Sequence, residues 1–343
     1  MTLRAGLIGF GVAGRYFHAP LMRAAGIEVV AVMTSRSEDV RQTIPNAQTV
    51  STAEELIARS DVDLIVIATP TNLHVPQTRA ALQAGKHVVV DKPISATSAE
   101  ARQLAQLARE RGRALAVFHN RRWDNDFLTL QKLIRENQLG EINAYHARWD
   151  RYRPQPSPGW RNQAERSSSM LYDLGSHMID QALMLFGTPD WIQADVFKQR
   201  QTALTEDGFE ILMAKDRLRI TLGVSYMAAE GGWRYRVHGA QASYLKEHLD
   251  PQEPQARAGI RPEDPQFGVE PQSSWGKLVQ GATGSSQLVP SERGRWVSFY
   301  EQVRDSISRG APVPVLADEA AKVIEMIEAA YVSSSEGRRV YFS

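Results

Sequence analysis

The sequence predicts an α/β protein with two domains, an N-terminal doubly wound parallel sheet and a second domain built on an antiparallel sheet. In the first third of the chain, short β-branched runs alternate with helical patterns, which is typical of a parallel sheet covered by helices on both faces. After about Phe118, several strand-like runs follow one another without intervening helices, which indicates antiparallel pairing. With 343 residues the chain is long enough for two domains, which we place at residues 1–120 and 121–343.

Five apolar runs and the four helical patterns between them predict the elements of the first domain. Gly26, Gly85 and Gly112 directly follow three of the helices, where a glycine commonly ends a helix. The runs are almost entirely apolar, as expected of strands buried on both faces. The predicted strands are Leu3–Ile8, Val29–Met33, Leu64–Ala68, His87–Val90 and Ala114–Phe118. The predicted helices are Ala13–Ala25, Ala53–Ser60, Leu73–Ala84 and Ser98–Arg111.

The second domain is predicted to contain a long helix, Met170–Phe186, that ends at Gly187. A polar loop, Tyr152–Ser169, precedes it, and the segment Asp250–Gln272, rich in Pro, Gln and Glu, is predicted to be a long surface loop. The other predicted helices are Phe127–Glu136, Arg295–Ser308 and Asp318–Ser333. The predicted strands are Glu141–Arg151, Ile192–Lys198, Phe209–Ala214, Leu218–Ser225, Arg234–His238, Ser243–Lys246 and Val340–Phe342.

The composition argues against several classes of partner. The formal net charge of +1 is too balanced for a protein whose main partner is nucleic acid or an anionic membrane. No apolar run approaches the roughly 20 residues that span a bilayer. The sequence has no Cys, which removes disulfides, thiolate metal ligands and cysteine nucleophiles. We therefore expect a cytoplasmic protein that acts on a small molecule.

The pattern G-x-G-x-x-G lies between the first strand and the first helix. Gly9 permits the tight turn, Gly11 lets the backbone approach a pyrophosphate, and Gly14 allows close helix–strand packing. The helix N-terminus adds oriented N–H groups. In this context the pattern predicts a dinucleotide-binding Rossmann domain; the alternative is a merely structural turn. The predicted cofactor contacts in the turn are Gly9, Phe10, Gly11, Val12, Ala13 and Gly14.

The second strand is followed by Thr34, Ser35 and Arg36, where an NAD-binding domain usually has an acid that accepts the ribose 2′-hydroxyl. All three side chains can donate hydrogen bonds, and the guanidinium adds a positive charge suited to a 2′-phosphate. We therefore predict that the cofactor is NADP(H) and that these three residues bind it. The alternative is an NAD enzyme in which Arg36 is a solvated loop residue.

Two more loops follow parallel strands, at the edge where ligands bind in open α/β sheets. The predicted cofactor contacts in the first loop are Thr69, Pro70, Asn72 and His74. Asn72 is also a candidate N-cap for the following helix. The second loop is Asp91-Lys92-Pro93, in which we expect Lys92 to point into the cofactor cleft.

The helix Met170–Phe186 carries a histidine between carboxylates. Asp173 and His177 are four residues apart, so a helix places them on one face, and Asp180 lies three residues further on. A histidine beside carboxylates is a reasonable general base for an alcohol proton. The alternatives are a helix-surface salt bridge or a satisfied core histidine. We expect no metal site, because no third ligand cluster with suitable spacing is evident.

These motifs resemble the Gfo/Idh/MocA oxidoreductase family in both content and order. The motifs that carry the resemblance are Gly9–Gly14, Asp91-Lys92-Pro93 and Asp173 with His177. Longer strings are more specific, run over most of the chain and resemble the NADP-dependent scyllo-inositol 2-dehydrogenases within that family. They are MTSR (33–36), HNRRWDNDFLT (119–129), RYRP (151–154) and LYDLGSHMIDQALMLFG (171–187).

The resemblance implies a Rossmann domain followed by an α/β domain with a large, mostly antiparallel open sheet, through which family members form dimers or tetramers. It implies that Lys92 holds the reacting hydroxyl near the nicotinamide, that His177 is the acid/base, and that Asp173 binds or orients the substrate. Asp91 stands where the family has a glutamate. This departure leaves open which partner the shorter carboxylate holds.

The remaining candidates begin the second domain or lie in the polar loop. Surface charge at a helix start is the alternative explanation for Arg121-Arg122. The tryptophans and arginines suit a polyol, which offers C–H faces and hydroxyls, but they suit a protein interface too. The predicted substrate contacts are Lys92, Asn120, Arg122, Trp123, Arg153, Trp160, Asp173 and His177. Asp91, Lys92 and Asn120 are also predicted to contact the cofactor.

Together these observations predict an NADP(H)-dependent dehydrogenase or reductase of inositol metabolism that interconverts a cyclic polyol and its ketone. The resemblance implies that the pair is scyllo-inositol and scyllo-inosose. One alternative is the same chemistry on an aldose, a ketose or another sugar derivative. The other is a non-catalytic NADP(H) sensor. We expect a homodimer or homotetramer.

Overall fold

A computed structural model describes residues 2–155 and 164–342. The chain forms two compact units. The first contains residues 1–123, 251–268 and 295–322, and the second contains residues 124–250, 269–294 and 323–343. The chain therefore returns to the first unit twice after residue 123, which the sequence pattern did not indicate.

The helices and strands are numbered in chain order over the described residues. The strands are β1 (Arg4–Ile8), β2 (Glu28–Met33), β3 (Gln48–Val50), β4 (Leu64–Ile67), β5 (His87–Val90), β6 (Leu115–Val117), β7 (Ile142–Arg148), β8 (Trp191–Phe197), β9 (Gly208–Lys215), β10 (Leu218–Val224), β11 (Tyr235–Gly239), β12 (Ala242–Lys246), β13 (Gly276–Gln280), β14 (Ser286–Val289) and β15 (Val340–Tyr341). The α-helices are α1 (Ala19–Ala24), α2 (Ser37–Thr43), α3 (Ala53–Ile57), α4 (His74–Gln83), α5 (Ser98–Glu110), α6 (Asn125–Arg135), α7 (Ser176–Phe186), α8 (Gln252–Arg257), α9 (Val297–Arg309) and α10 (Ala317–Glu336).

The first unit is a doubly wound parallel sheet, as predicted. Its six strands lie in the order β3-β2-β1-β4-β5-β6, and every adjacent pair is parallel. The order reverses between β1 and β4, which creates the switch point where ligands bind in such sheets. All residues of β4 are buried, which explains why its continuous apolar run was a clear strand signal.

The helices of the first unit begin in different ways. Thr97 and Glu100 form a reciprocal capping box, so α5 begins at Ser98 as predicted. The predicted helix from Ala13 starts with a π-helical turn, Ala13–His18, before α1. The sequence did not predict α2, because Val40 is its one buried residue and no apolar face repeats along it.

The second unit contains the predicted large sheet. Nine strands lie in the order β14-β13-β12-β11-β7-β10-β9-β8-β15. Each adjacent pair is antiparallel except β7 and β10, which are parallel. The predicted fold class is confirmed. Strands β13 and β14 were not predicted, since each carries only two apolar residues. Strand β14 is also largely exposed.

The prediction that residues 250–272 form a surface loop is wrong in its first part. Gln252 begins α8 and is fully buried. Its amide nitrogen donates to the Trp123 carbonyl at 3.1 Å, and its amide oxygen accepts the Trp296 N–H at 2.8 Å. The polar composition suggested solvent exposure, but here a polar side chain satisfies buried backbone groups.

A buried ion pair joins β12 to the segment that follows α8. Lys246 Nζ donates to Glu270 Oε1 at 2.7 Å, and the two side chains are 0% and 3% exposed. Nζ also donates to the Ser274 carbonyl, and Ser291 donates its hydroxyl to Glu270 Oε1. Removing the lysine would therefore leave a carboxylate buried without its counter-charge.

Within the described residues, every helix is too short or too polar to cross a membrane.

We expect Lys246→Met to lower the free energy of unfolding by about 3 kcal/mol, because it leaves the buried Glu270 carboxylate without its ion-pair partner. Urea unfolding monitored by circular dichroism measures the change. Lys277→Met, an exposed lysine on the neighbouring strand β13, is the control. We expect it to change the free energy of unfolding by less than about 0.5 kcal/mol. Equal unfolding midpoints for the two variants would contradict a stabilising role for the buried pair.

Candidate active site

The glycine turn after β1 has two crowded positions and one open position. Gly9 has a φ of +99°, and a Cβ there would lie 2.6 Å from the Ala68 carbonyl oxygen. A Cβ on Gly14 would lie 2.3 Å from the Gly9 carbonyl oxygen. A Cβ on Gly11 would meet nothing within 4 Å, so the backbone there is open to a ligand. The turn therefore fits a dinucleotide, whose pyrophosphate needs an unobstructed backbone at its middle glycine.

The other residues of this turn differ in exposure. Phe10 is buried at 2%, whereas Val12 is 43% exposed. Ala13 begins the π-helical turn, so its N–H lies at the start of the helix. The large apolar side chain that remains accessible in the turn is therefore that of Val12.

The end of β2 presents a guanidinium and hydroxyls. The Arg36 N–H donates to Thr34 Oγ1 at 3.0 Å, and Ser35 and Arg36 are exposed. The nearest acids of α2 have arginine partners of their own. Asp39 pairs with Arg15 at 3.3 Å, and a hydrogen bond from Arg41 lowers the pKa of Glu38. Among the described residues, the Arg36 guanidinium has no ion-pair partner, so its charge is available to an anion.

His74 joins the loop after β4 to the loop after β5. Its Nδ1 lies 2.7 Å from the Pro93 carbonyl oxygen, and its Nε2 lies 2.8 Å from the Thr69 carbonyl oxygen. The residue is 1% exposed, and burial lowers the pKa of its imidazole. Both ring nitrogens thus lie at hydrogen-bonding distance from backbone carbonyls of the first unit. The Thr69 hydroxyl is also used, since it donates to Gln77 Oε1 at 2.7 Å.

Asn72 is exposed in a 3₁₀ turn, Thr71–Leu73, that leads into α4. The interpretation of Asn72 as an N-cap is wrong, because neither the turn nor α4 has a side-chain cap hydrogen bond. The turn continues directly into the helix, so Leu73 occupies the N-cap position of α4. Pro70 precedes the turn in an extended conformation.

Asp91 holds the backbone of the Lys92 loop. Its Oδ1 accepts the Lys92 N–H at 2.8 Å, and its Oδ2 lies 3.7 Å from His18 Nε2. The other nitrogen of His18 lies 2.6 Å from the Tyr300 hydroxyl. Burial alone would raise the pKa of Asp91, but His18 and Lys92 outweigh this effect and lower it. The sequence left open which groups the shorter Asp91 carboxylate contacts. In the structure they are the N–H of its own loop and the His18 ring. The Lys92–Pro93 peptide bond is cis.

In the second unit, Asp173 and His177 are buried. Asp173 lies in a π-helical turn, Leu171–Gly175, that continues into α7, where His177 is the second residue. Asp173, His177 and Asp180 are 7%, 5% and 2% exposed. A helix-surface salt bridge is therefore the wrong explanation for their spacing. Within residues 2–155 and 164–342, no group of three or more His, Cys, Asp or Glu residues could hold a metal ion.

The Trp149 side chain is a neighbour of His177 that the sequence did not indicate. The two ring centres are 6.3 Å apart at an interplanar angle of 35°. Trp149 follows β7 and is 2% exposed. Nothing in the local pattern separates such a tryptophan from an ordinary core residue, so its place beside the imidazole was not predictable.

The residues at the start of the predicted second domain lie in the first unit. Asn120, Arg121 and Arg122 are buried in a 3₁₀ turn, Asn120–Trp123. Arg122 Nη1 pairs with Glu319 Oε2 at 3.0 Å. Trp123 packs edge-on to an aromatic ring of α9 at 5.8 Å. The explanation of the arginine pair as surface charge is wrong, since both side chains are buried in ion pairs.

The partner of Arg121 is Glu253 of α8, at 2.5 Å. Burial alone would raise the pKa of Glu253. The charges and hydrogen bonds of Arg121 and Arg257 outweigh burial and lower that pKa to about 2. This ion pair holds α8 within the first unit.

Arg153 is exposed in the polar loop, with its guanidinium 6.0 Å from the Tyr226 ring centre. Its carbonyl accepts a hydrogen bond from Arg200 at 3.1 Å, and Arg200 in turn pairs with Asp207 at 2.6 Å. Trp160 lies outside the described residues.

Comparison with known proteins assigns the family. A model described as "Oxidoreductase family, NAD-binding Rossmann fold" matches residues 3–119, and one described as "Oxidoreductase family, C-terminal alpha/beta domain" matches residues 131–342. The chain belongs to the Gfo/Idh/MocA oxidoreductase family. Its Rossmann domain is of the NAD-binding type, and the predicted family is confirmed.

Several members of the Gfo/Idh/MocA family match almost the whole chain. The scyllo-inositol 2-dehydrogenase (NADP(+)) IolW of Bacillus subtilis is 40% identical, over 99% of this chain and 96% of its own. An uncharacterized oxidoreductase of Escherichia coli, YdgJ, is 39% identical over 95% of both chains. The solved structure of the putative oxidoreductase yvaA from Bacillus subtilis superposes with a TM-score of 0.97 at 40% identity, covering 100% of this chain and 99% of that one.

Two alanine substitutions in the glycine turn should have different effects. Gly14→Ala should lower the melting temperature, because its Cβ would collide with a backbone oxygen. Gly11→Ala should leave the melting temperature unchanged but weaken dinucleotide binding about tenfold, or about 1.4 kcal/mol. Thermal unfolding and a fluorescence titration with NADPH measure the two effects. Unchanged NADPH affinity in Gly11→Ala would contradict the assignment of the open backbone to the cofactor.

Proposed function

We propose that the protein is an NADP(H)-dependent oxidoreductase that interconverts a cyclic polyol and its ketone, with scyllo-inositol and scyllo-inosose as the pair. One observation carries the proposal. Lys92, Asp173 and His177 are all present in a chain that is 40% identical, over 99% of its length, to a scyllo-inositol 2-dehydrogenase. A non-catalytic sensor would require neither the lysine nor the histidine.

In this proposal His177 moves the proton. Its imidazole accepts the hydroxyl proton of the polyol during oxidation and returns it during reduction. Such a general base typically contributes about 10²- to 10⁴-fold to the rate. Asp173, buried one turn before His177, orients the reacting group. The bound nicotinamide supplies the hydride acceptor or donor, which the side chains of this protein cannot provide.

In this proposal Lys92 stabilises negative charge that develops on the substrate. Its ammonium favours alkoxide character in the transition state, as a fixed positive charge does when it lies close to the reacting atom. The position of the lysine depends on its backbone, which Asp91 holds through the Lys92 N–H at 2.8 Å. Asp91 thus supports the lysine from within the loop.

Selectivity for NADP(H) is proposed to come from the end of β2. Arg36 is exposed, and Arg15 and Arg41 pair with the acids of α2. A 2′-phosphate at this position would contact a guanidinium and the hydroxyls of Thr34 and Ser35. The carboxylates of α2 would repel it little, because arginines neutralise their charge.

We further propose a cytoplasmic homodimer or homotetramer that assembles through the nine-stranded sheet. All nine strands of that sheet lie in the second unit. The role of this sheet in family members, implied by the resemblance, supports the same arrangement.

A panel of polyols and sugars, assayed with NADP and with NAD at the nicotinamide absorbance band, tests the function. We expect the highest kcat/KM with scyllo-inositol and NADP.

Arg36→Ala should lower kcat/KM for NADP about tenfold or more, since it removes a charged hydrogen bond to phosphate, and should leave NAD kinetics unchanged. An NAD preference in the unmodified protein would contradict the cofactor assignment. NADPH binding without turnover of any substrate would favour a sensor.

The acid/base assignment is tested by His177→Ala and Lys92→Met. Each should lower kcat by about 10²-fold or more, the range of a removed general base or a removed stabilising charge. Each should also leave the NADPH dissociation constant close to that of the unmodified protein. Steady-state kinetics and fluorescence titration measure both quantities. A kcat that is unaffected in His177→Ala would remove the histidine from the mechanism.

A further inference from the structure

The second unit contains an arginine that is almost completely buried. Arg234 immediately precedes β11, and its side chain is 1% exposed. Its Nε donates to Asp126 Oδ2 at 3.2 Å, and the Asp126 side chain is 0% exposed. Asp126 lies in the first turn of α6, where its Oδ1 also accepts the Phe127 N–H.

The other donors of the guanidinium bind groups on α7, β7 and β11. Its Nη2 donates to Gln181 Oε1 at 2.8 Å and to the Tyr235 hydroxyl at 2.9 Å. The Tyr235 hydroxyl donates to the same Gln181 oxygen at 2.8 Å, which closes a triangle of hydrogen bonds. Its Nη1 donates to the Arg148 carbonyl at 3.4 Å. One cation therefore joins four elements of this unit: α6, α7, β7 and β11.

Two paths lead from this cation to His177. Gln181 lies four residues after His177 on α7, so the two side chains project from the same face one turn apart. The Trp149 ring is the second path. Its centre lies 5.0 Å from the guanidinium carbon of Arg234 and 6.3 Å from the His177 ring centre. Trp149 thus packs against both the cation and the imidazole.

Stability alone does not explain such an arrangement. Removing two charges from water costs several kcal/mol per ion, and buried ion pairs are often no more stabilising than apolar residues of the same volume. A network of this kind does fix the geometry of the elements it joins, because the planar guanidinium holds its N–H donors in fixed directions and each acceptor must lie along one of them. The elements fixed here include the helix that carries His177.

We infer that Arg234 is a positioning residue for His177, acting through Gln181 on α7 and through the Trp149 ring. The inference rests on the proposed function, in which His177 is the acid/base. A misplacement of about 1 Å at a catalytic group can cost about 10²-fold in rate, so a loss of this network should appear in kcat.

The test compares Arg234→Met with Lys246→Met. Arg234 and Lys246 are buried cations of the second unit, and each is paired with a buried carboxylate. The Lys246 carbonyl accepts the Arg234 N–H at 2.7 Å, a backbone contact that a substitution of the side chain keeps. The partners of Lys246 Nζ, Glu270 and the Ser274 carbonyl, do not lie on α7. The two variants should lower the midpoint of urea unfolding to a similar extent. Arg234→Met should lower kcat about 10- to 100-fold with little change in the KM for NADPH, whereas Lys246→Met should keep kcat within about twofold.

Two further variants keep the inference open to refutation. Arg234→Lys retains the charge near Asp126 but cannot reach Gln181, Tyr235 and the Arg148 carbonyl together, so kcat should recover only in part. Gln181→Met leaves the ion pair with Asp126 in place and removes the contact on α7, so it serves if Arg234→Met is insoluble. It should lower kcat about fivefold or more at an unchanged KM for NADPH.

His177→Ala, measured in parallel, separates the two possible failures. A normal kcat in His177→Ala would refute the proposed function itself. A different outcome would overturn the positioning role and leave the proposed function standing. In that outcome His177→Ala has a low kcat, but the kcat of Arg234→Met or Gln181→Met equals that of Lys246→Met.

Discussion

The geometry of the first unit depends on the contact between Gly14 and the carbonyl oxygen of Gly9. Since a Cβ at residue 14 would lie 2.3 Å from that oxygen, any side chain would push the first helix away from β1. With hydrogen in that place, the helix begins directly at the strand end and the Gly11 backbone stays open. The neighbouring loops of the same sheet are held by hydrogen bonds of the His74 and Asp91 side chains.

Buried polar groups fix the candidate residues in both units. In the first unit, carbonyl and N–H groups of the Lys92 loop are satisfied by the side chains of His74 and Asp91. In the second, the helix of His177 is tied to α6 and β7 through Arg234. Partly satisfied networks would cost free energy and leave several conformations accessible, whereas fully bonded ones select a single geometry. The proposed hydroxyl-to-ketone reaction needs that precision, because hydride and proton must leave neighbouring atoms in a defined geometry.

The sequence predicted the parts that depend on local pattern. Apolar runs located β1, β4 and β5, and the glycine spacing located the dinucleotide turn. Strand β3 escaped detection because two of its three residues are exposed. The π-helical turn at Asp173 was also missed, since over a single turn the apolar spacing does not distinguish i→i+4 from i→i+5 hydrogen bonding. The partners of Arg122 and Arg234 lie 197 and 108 residues away, so no local signal could identify them.

The central proposal is that the His177 imidazole moves the proton of a polyol hydroxyl. A crystal structure of the protein with NADPH and scyllo-inositol bound tests it most directly. The account predicts one ring hydroxyl within about 3.2 Å of His177 Nε2, the range of a hydrogen bond. A bound polyol with every hydroxyl beyond that distance from His177 Nε2 would contradict it.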